Sequence, residues 1–509
     1  MKKRALISVF DKNGILEFAR SLERMDWEII STGGTYKYLN DNGVNVVEIE
    51  EITRFPEILD GRVKTLNPYI HGGILYKRDS KEHCDTINAQ GIAGIDMVVN
   101  NLYPFEEKLR EGALHADMVE NIDIGGPSMI RAAAKNYKDV LIVTDPQDYE
   151  RISEELENGG ASEKTKLDLA RKAFGYTAHY DALIANYFNK IMDKDYPEYL
   201  TKTYKLETKL RYGENPHQSA SFYKDSFEDL GITVRQLHGK ELSYNNLNDI
   251  YGTIKALKEF EEPTVVAVKH TNPCGIGSGK KIYDAYMKAY ECDTESIFGG
   301  IVALNRDVDG DVAEHMATYF LEVVIAPGFT ESAMEILTKK KNIRLIEIPE
   351  LNEFKISKMS YKQVLQGMIY QETDKITGKE KNFDFQVMTT REPSEYEIED
   401  LKFAWKCVKN VASNGVVLVK NKGTIGIGQG EVRRSWAVEG AIERAGDNAF
   451  DSVLASDAFF FEDTVEALNK AGVKIVISPG GSVKDDEVIK LCEEYGMTLI
   501  FTGVRHFRH

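Results

Sequence analysis

A lysine and a histidine stand side by side at the end of an apolar run: Val265-Val-Ala-Val-Lys269-His270-Thr-Asn-Pro273-Cys-Gly275-Ile-Gly277-Ser-Gly279. The β-branched residues read as a buried strand. Neutral imidazole is the usual general base near pH 7, contributing typically ~10²–10⁴-fold. A neighbouring ammonium disfavours imidazolium and lowers the histidine pKa. The same ammonium could stabilise an oxyanion at an acyl centre. A strand that carries two ionisable groups to its carboxyl end and then breaks, here at Pro273 and the glycines, is one way α/β proteins present catalytic side chains. The stretch reads equally as a strand end with a solvated Lys–His pair. A zinc site is the rival chemistry, because His270 with Pro273-Cys274 echoes a P-C-x-x-C arrangement. Position 277 is Gly rather than a second Cys and Thr271-Asn272 follow the histidine, so zinc is rejected.

Three further clusters suit an anionic ligand. Ser31-Thr32-Gly33-Gly34-Thr35 lies between a strand and a helical pattern, where glycines let backbone approach an anion and a helix start offers free N–H groups. Many such turns carry Gly-Gly for steric reasons alone. Gly61-Arg62-Val-Lys64-Thr65-Leu-Asn-Pro68 concentrates cations beside a glycine and a proline, and Asn121-Ile-Asp123-Ile-Gly-Gly-Pro127 leads to Arg131 and Lys135 one helical turn apart. Three clusters in one small domain favour an anion site over solvated loops.

The elements that must position these groups alternate. Ala5–Phe10, Trp27–Ser31, Val44–Ile49, Met97–Leu102 and Val140–Thr144 read as strands, with Ile15–Leu22 and Tyr36–Leu39 helical. Such alternation implies a parallel, doubly wound sheet. Residues 154–192 read as helix, with Leu167, Ala170, Phe174, Leu183, Ala185 and Phe188 as candidate core, ending before Pro197.

The second half contains an internal repeat. Residues 265–279 align without a gap on Val416-Val-Leu-Val-Lys420-Asn421-Lys-Gly-Thr-Ile-Gly-Ile-Gly-Gln-Gly430, with 8 of 15 positions identical. Phe298–Asn305 faces Phe450–Asp457, Glu322–Gly328 faces Lys474–Gly480, and Leu247–Ile250 faces Ile398–Leu401. Two α/β units are therefore built on one plan. Lys269 recurs as Lys420, whereas His270 becomes Asn421. The lysine fits a structural or a shared role; the histidine distinguishes one half.

The chain has 509 residues and a net charge of −17, a poor balance for binding nucleic acid or a membrane surface. Five scattered cysteines form no C-x-x-C pair, which points to a reducing, cytoplasmic compartment. No apolar stretch has membrane-spanning length.

Taken together and in order, the motifs resemble the bifunctional purine-biosynthesis family that joins an AICAR (5-aminoimidazole-4-carboxamide ribonucleotide) formyltransferase to an IMP cyclohydrolase. They are Ser31–Thr35, Gly61–Pro68, Asn101-Leu-Tyr-Pro-Phe105, Ile122–Gly126, Arg131–Asn136, Leu210-Arg-Tyr-Gly-Glu-Asn-Pro-His217, Val268–Gly275, Ser456-Asp-Ala-Phe-Phe460 and Arg505-His-Phe-Arg-His509. The resemblance implies a methylglyoxal-synthase-like cyclohydrolase domain over 1–146 and a helical connection over 147–198. Two cytidine-deaminase-like transferase subdomains follow over 199–371 and 391–509, joined by a linker over 372–390.

It also implies roles. Lys64, Tyr103, Asp123 and Lys135 would serve ring closure of FAICAR, the formylated AICAR. Ser8, Lys12, Ser31, Thr32, Gly33, Gly34, Thr35, Arg62 and Thr65 would hold the nucleotide. In the transferase His270 would move the proton, Lys269 assist and Asn414 hold the tetrahedral intermediate. Arg211, Tyr212, Arg433, Asp457, Arg505 and Phe507 would grip the nucleotide. Family members often carry Asp where Glu322 stands, which bears on its folate contact. The implied co-substrate is 10-formyltetrahydrofolate with no metal, and the implied assembly is a homodimer with transferase sites at the interface. The other class of reading is a nucleotide-sensing regulatory protein without catalysis; His270 opposite Asn421 speaks against it.

Overall fold

Five strands pair in parallel: β1 (Arg4–Val9), β2 (Glu28–Ser31), β3 (Val46–Glu48), β4 (Met97–Asn101) and β5 (Leu141–Val143), in the order β3-β2-β1-β4-β5. They belong to a computed structural model that describes residues 2–228 and 230–509. The chain divides into two units, Met1–Lys205 with Lys224–Phe227, and Leu206–Tyr223 with Glu228–His509. In the first unit the strand order reverses between β1 and β4, so a crevice opens at their carboxyl ends.

The long helical stretch is two helices, Tyr149–Glu157 and Glu163–Ile191, separated at Gly159 and Gly160, both with positive φ. Ala170 and Leu183 are buried as expected, but Leu167, Phe174 and Phe188 are exposed. Tyr180 and Tyr187 occupy the core face instead. Their amphipathic rings bury the apolar body and keep a polar tip satisfied, as in the 2.7 Å bond from the Tyr180 hydroxyl to Asn121 O.

In the second part β6 (Tyr204–Leu210) and β7 (Ala220–Asp225) form a ribbon. Strands β8 (Arg235–His238), β9 (Thr264–Lys269), β10 (Asn272–Ser278), β11 (Ile301–Leu304), β12 (Val323–Ala326) and β13 (Arg344–Glu347) make one repeat. A second ribbon, β14 (Met359–Val364) with β15 (Gly367–Glu372), follows. The other repeat is β16 (Gln386–Val387), β17 (Val416–Lys420), β18 (Gly423–Gly428), β19 (Val453–Ser456), β20 (Ile475–Ser478) and β21 (Thr498–Phe501). All twelve repeat strands join one sheet, β16-β21-β20-β19-β17-β18-β10-β9-β11-β12-β13-β8. The halves meet where β10 runs antiparallel to β18, with Gly277 opposite Gly423.

Helices Tyr244–Leu257 and Glu395–Val408 share one core that takes Val266 and Val268 from β9 and Val417 and Val419 from β17. On the other face, helices Ile282–Cys292 and Arg434–Ala445 cover separate cores that take Val265 and Ala267, and Val416 and Leu418. Both faces of β9 and β17 are buried, so these two strands are apolar up to their terminal lysines rather than alternating.

The chain was expected to turn at Pro273 and the glycines; it turns earlier, at His270-Thr271, and Pro273 to Ser278 lie within β10. The glycines serve packing. A Cβ on Gly275 would stand 1.8 Å from Ala289 O, and one on Gly426 would stand 2.1 Å from Ala441 O. The stretch expected as a linker carries the helix Gly378–Lys381, capped by Thr377 and Glu380, and strand β16 on the sheet edge.

Candidate active sites

A cleft of about 560 Å³ occupies the crevice of the parallel sheet. β1 brings Ser8, the turn after β2 brings Thr32 to Thr35, and β4 brings Asn100 and Asn101. The helix Gly33–Asp41 starts there with no side-chain cap, so its first N–H groups and positive dipole end face the cleft. Ser8 Oγ lies 2.8 Å from Thr32 Oγ1. Thr35 Oγ1 donates to Val9 O at 2.8 Å and pins the helix start to β1. Ser31 is fully buried and donates to Ile7 O, so it supports the turn from behind.

Cations surround this helix end. A Cβ on Gly33 would lie 3.1 Å from Lys64 Nζ. Lys64 pairs with Glu57, and Arg62 pairs with Glu120. Lys12 Nζ donates to Phe10 O at 3.1 Å on the cleft rim. An anionic ligand would compete with the two carboxylates for these cations. Thr65 fills the space beside Gly125, where a Cβ would stand 2.4 Å from Thr65 Oγ1.

Asp123 and Tyr103 line the same cleft. Burial raises the Asp123 pKa, opposed by the Gly126 N–H that donates to Oδ1 at 2.8 Å. Burial, and then the Asp123 charge, also raise the Tyr103 phenol. Tyr103 therefore stays protonated at neutral pH. Asn100 is 2% exposed, and its Oδ1 has no hydrogen-bond partner among the described residues. The sequence reading passed over Asn100; its signal is an amide at the end of an otherwise apolar strand. Lys135 is not part of this cleft. It ends the helix Gly125–Lys135 and is exposed there, about 15 Å along the axis from the end that carries Asp123.

In the large sheet His270 and Thr271 form the two-residue turn between β9 and β10, with φ of 53° and 62°. Asn421 and Lys422 repeat it between β17 and β18, with φ of 56° and 54°. A two-residue hairpin with both φ positive is normally built from Gly, Asn or Asp. Each strained residue costs of order 1–3 kcal/mol, and β-branched Thr271 is the least suited. Carboxylates offset the cost. Asp249 accepts the N–H of His270 at 3.2 Å and of Thr271 at 2.8 Å. Asp400 does the same for Asn421 and Lys422, at 2.8 and 2.7 Å. Lys269 Nζ donates to Phe298 O and Lys420 Nζ to Phe450 O, both at 2.9 Å. The shared lysine thus makes a shared architectural bond. The His270 imidazole is left facing a cavity of about 170 Å³ with Lys269, Asp293, Gln429 and Arg444.

A separate cleft of about 580 Å³ holds Asn414, Arg433 and Phe507. Arg434, unnoticed in the sequence, donates to Asn414 Oδ1 at 2.7 Å and to Asp457 Oδ1 at 2.6 Å. Asp457 is fully buried and also accepts from Ser413 Oγ at 2.5 Å and Gly415 N at 2.9 Å. It therefore stands behind the cleft wall and orients Asn414 through Arg434. Arg433 pairs with Asp463 at 3.1 Å. The Arg505 guanidinium stacks 4.2 Å from the Phe507 ring. Arg211 lies over Tyr212 just after β6, and Glu322 pairs with Arg344 at 2.5 Å before β12. None of these four lines the clefts described.

The terminal segment is anchored by His506, buried between Asp374 at 2.8 Å and Glu380 at 2.5 Å. Burial alone would lower the imidazole pKa, but its bonds to Asp374 and Glu380 push it up to about 9. Burial would likewise raise Glu380, yet bonds from His506, Thr377 and Trp405 bring it down to about 2. No helix among the described residues is long and apolar enough to cross a membrane.

Residues 133–444 match the AICARFT/IMPCHase bienzyme family, and residues 14–128 match the MGS-like domain family. The bifunctional purine biosynthesis protein PurH of Caldicellulosiruptor saccharolyticus is 53% identical over the full length of both chains. PurH of a Thermoanaerobacter species is 53% identical and that of Bacillus cereus 52% identical, again end to end. With an MGS-like domain leading into a duplicated transferase sheet, this chain belongs to the bifunctional AICAR formyltransferase/IMP cyclohydrolase family and is an enzyme of the last two steps of purine biosynthesis.

Proposed function

We propose that the parallel-sheet cleft closes the purine ring of FAICAR, and that the twelve-stranded sheet transfers the formyl group to AICAR. The observation that carries this division is the placement of Lys64 over a bare helix N-terminus, with Asp123 and Tyr103 lining the same cleft. The nucleotide phosphate would sit on that helix end, among Ser8, Lys12, Thr32 and Arg62. In ring closure the carboxamide nitrogen attacks the formyl carbon, a C–N bond forms, and the formyl oxygen leaves as water, with one proton lost from the carboxamide nitrogen and one from the formamide nitrogen. Asp123, its pKa raised by burial, would take the amide proton. Tyr103 would protonate the departing oxygen, and the Lys64 ammonium would stabilise the charge that develops on it.

In formyl transfer the 5-amino group of AICAR attacks the formyl carbon of 10-formyltetrahydrofolate. The bond from that carbon to the folate N10 breaks, and the amine proton goes to N10 through His270. Asn414, held by Arg434, would bind the tetrahedral oxygen, and Arg433, Arg505 and Phe507 would hold the nucleotide. No step in this scheme is routed through a metal.

Within one chain His270 and Asn414 line different clefts. This supports a homodimer in which each transferase site takes residues from both copies, and the free cysteines fit a cytoplasmic compartment. Apolar side chains left exposed on the second unit, among them Leu365, Met368, Ile369 and Val432, suit such burial. The test is turnover of AICAR with 10-formyltetrahydrofolate, and of pre-formed FAICAR to IMP, followed by absorbance. Tight nucleotide binding without either turnover would overturn the proposal.

A further inference from the structure

A general base mounted on a two-residue turn is only as well aimed as the turn. We propose that Asp249 and Arg508 are positioning residues for formyl transfer, which clamp the His270–Thr271 turn from opposite sides and so aim the imidazole. The inference rests on the assignment of His270 as the proton carrier.

Every backbone polar group of the turn has a partner. Asp249 takes both N–H groups. Its helix, Tyr244–Leu257, starts with a capping box between Ser243 and Asn246, which makes it a firm mount. On the carbonyl side Arg508 Nη2 donates to Thr271 O at 2.9 Å. The His270 carbonyl accepts from Asn272 Nδ2 at 3.2 Å, and Asn272 Oδ1 accepts from Ala412 N at 3.3 Å.

Arg508 links this turn to the other cleft. Its second arm donates to Asn410 O. Its backbone pairs with Ser413 in both directions, at 3.1 and 3.0 Å. Ser413 precedes Asn414, and Arg508 follows Phe507, so one residue ties the turn to the segments that would hold intermediate and nucleotide. The other hairpin lacks this tie: the Lys422 carbonyl, the counterpart of Thr271 O, accepts from the Ser278 backbone N–H at 2.8 Å, and the Asn421 carbonyl accepts from Lys288 Nζ at 2.6 Å. Asp400 therefore does the same structural work as Asp249 on a turn without a histidine.

That symmetry supplies the control. Asp249→Asn, which cannot accept both N–H bonds as the carboxylate does, is expected to lower kcat for formyl transfer about ten- to hundredfold, with KM for AICAR within about twofold. Asp400→Asn removes the matching bonds and is expected to leave kcat within about twofold while lowering Tm as much as Asp249→Asn does. Cyclisation of FAICAR stays at the wild-type rate in both. On a His270→Ala background Asp249→Asn is expected to add no further loss. Should Asp249→Asn not fold, Arg508→Lys, which loosens the grip on both the Thr271 and Asn410 carbonyls, is expected to lower kcat for formyl transfer in the same way and to add no further loss on the His270→Ala background. Equal loss of kcat in the Asp249 and Asp400 variants, or additive losses with His270→Ala, would overturn the clamp. Undiminished formyl transfer by His270→Ala would instead overturn the assignment of His270, and the inference with it.

Discussion

The Lys64 ammonium stands 3.1 Å from the point that a Cβ on Gly33 would occupy, so lysine and helix end form one cationic corner. Gly33 also holds a φ of 41°, which favours glycine. Lys64→Met should lower kcat for FAICAR cyclisation roughly 10²-fold or more, the scale of a lost oxyanion donor. Gly33→Ala should raise KM for FAICAR by distorting the same corner. Formyl transfer measured on the same preparations should not change.

His270 and Asn421 occupy equivalent turns, so they form a matched pair for mutation. His270→Ala should cost formyl transfer ~10²–10⁴-fold, as expected for a lost general base, and spare cyclisation of FAICAR. Asn421→Ala should leave both rates unchanged. Steady-state assays of the two half-reactions check this, and a comparable loss in both variants would contradict it.

Much of this arrangement was legible in the sequence, for reasons that can be named. Strands such as Val265–Val268 are buried on both faces, so their apolar runs stood out. The duplication was visible because both hairpins need the same glycines against the same helix backbones. What escaped was non-local. The fusion of two repeats into one sheet depends on β10 meeting β18, which leaves no local pattern. The turn at His270-Thr271 was missed because neither residue favours positive φ; Asp249, 21 and 22 residues upstream, makes it tenable. Arg434 and Asp457 act one layer behind the cleft. Lys135 shares a helix with the residues after Asp123 but lies at its opposite end, outside the lining of the parallel-sheet cleft.

Asp457 and Arg434 form a pair whose side chains are 0% and 8% exposed. Removing one partner of such a pair leaves an uncompensated buried charge, at a cost of roughly 3–5 kcal/mol. Asp457→Ala should therefore lower stability by about that amount in chemical denaturation of the second unit. It should also reduce formyl transfer in whatever fraction folds, because Arg434 loses the anchor from which it holds Asn414.

The glycines of β10 and β18 predict a contrast with an exposed one. Gly275→Ala would drive a Cβ to 1.8 Å from Ala289 O, a backbone atom that cannot yield without moving its helix. Destabilisation of about 1–3 kcal/mol or more is expected. Gly175, within the helix Glu163–Ile191, has nothing within 4 Å of its Cβ position. Gly175→Ala should stabilise by about 0.5–1 kcal/mol, as for glycine in a helix interior. Thermal melts of the two variants should move in opposite directions.

The terminal anchor makes the transferase half sensitive to alkali. His506 faces Asp374 and Glu380, with the Trp405 ring 5.3 Å away. Its folded pKa of about 9 lies above the ordinary 6.5, so the folded state holds the proton more tightly than the unfolded chain. The stabilisation is fully present below 6.5 and is lost as pH rises through about 9. Glu380, held near 2, contributes above its ordinary 4.5 and loses that contribution only as pH falls through about 2. Between these limits the anchor is charged on both sides. Tm should fall between neutral pH and pH values above about 9, and formyl transfer should fall with it, because Phe507 and Arg508 follow His506 directly. His506→Gln should lower Tm at neutral pH and flatten its dependence over the same range. An unchanged slope in that variant would place the alkaline sensitivity elsewhere.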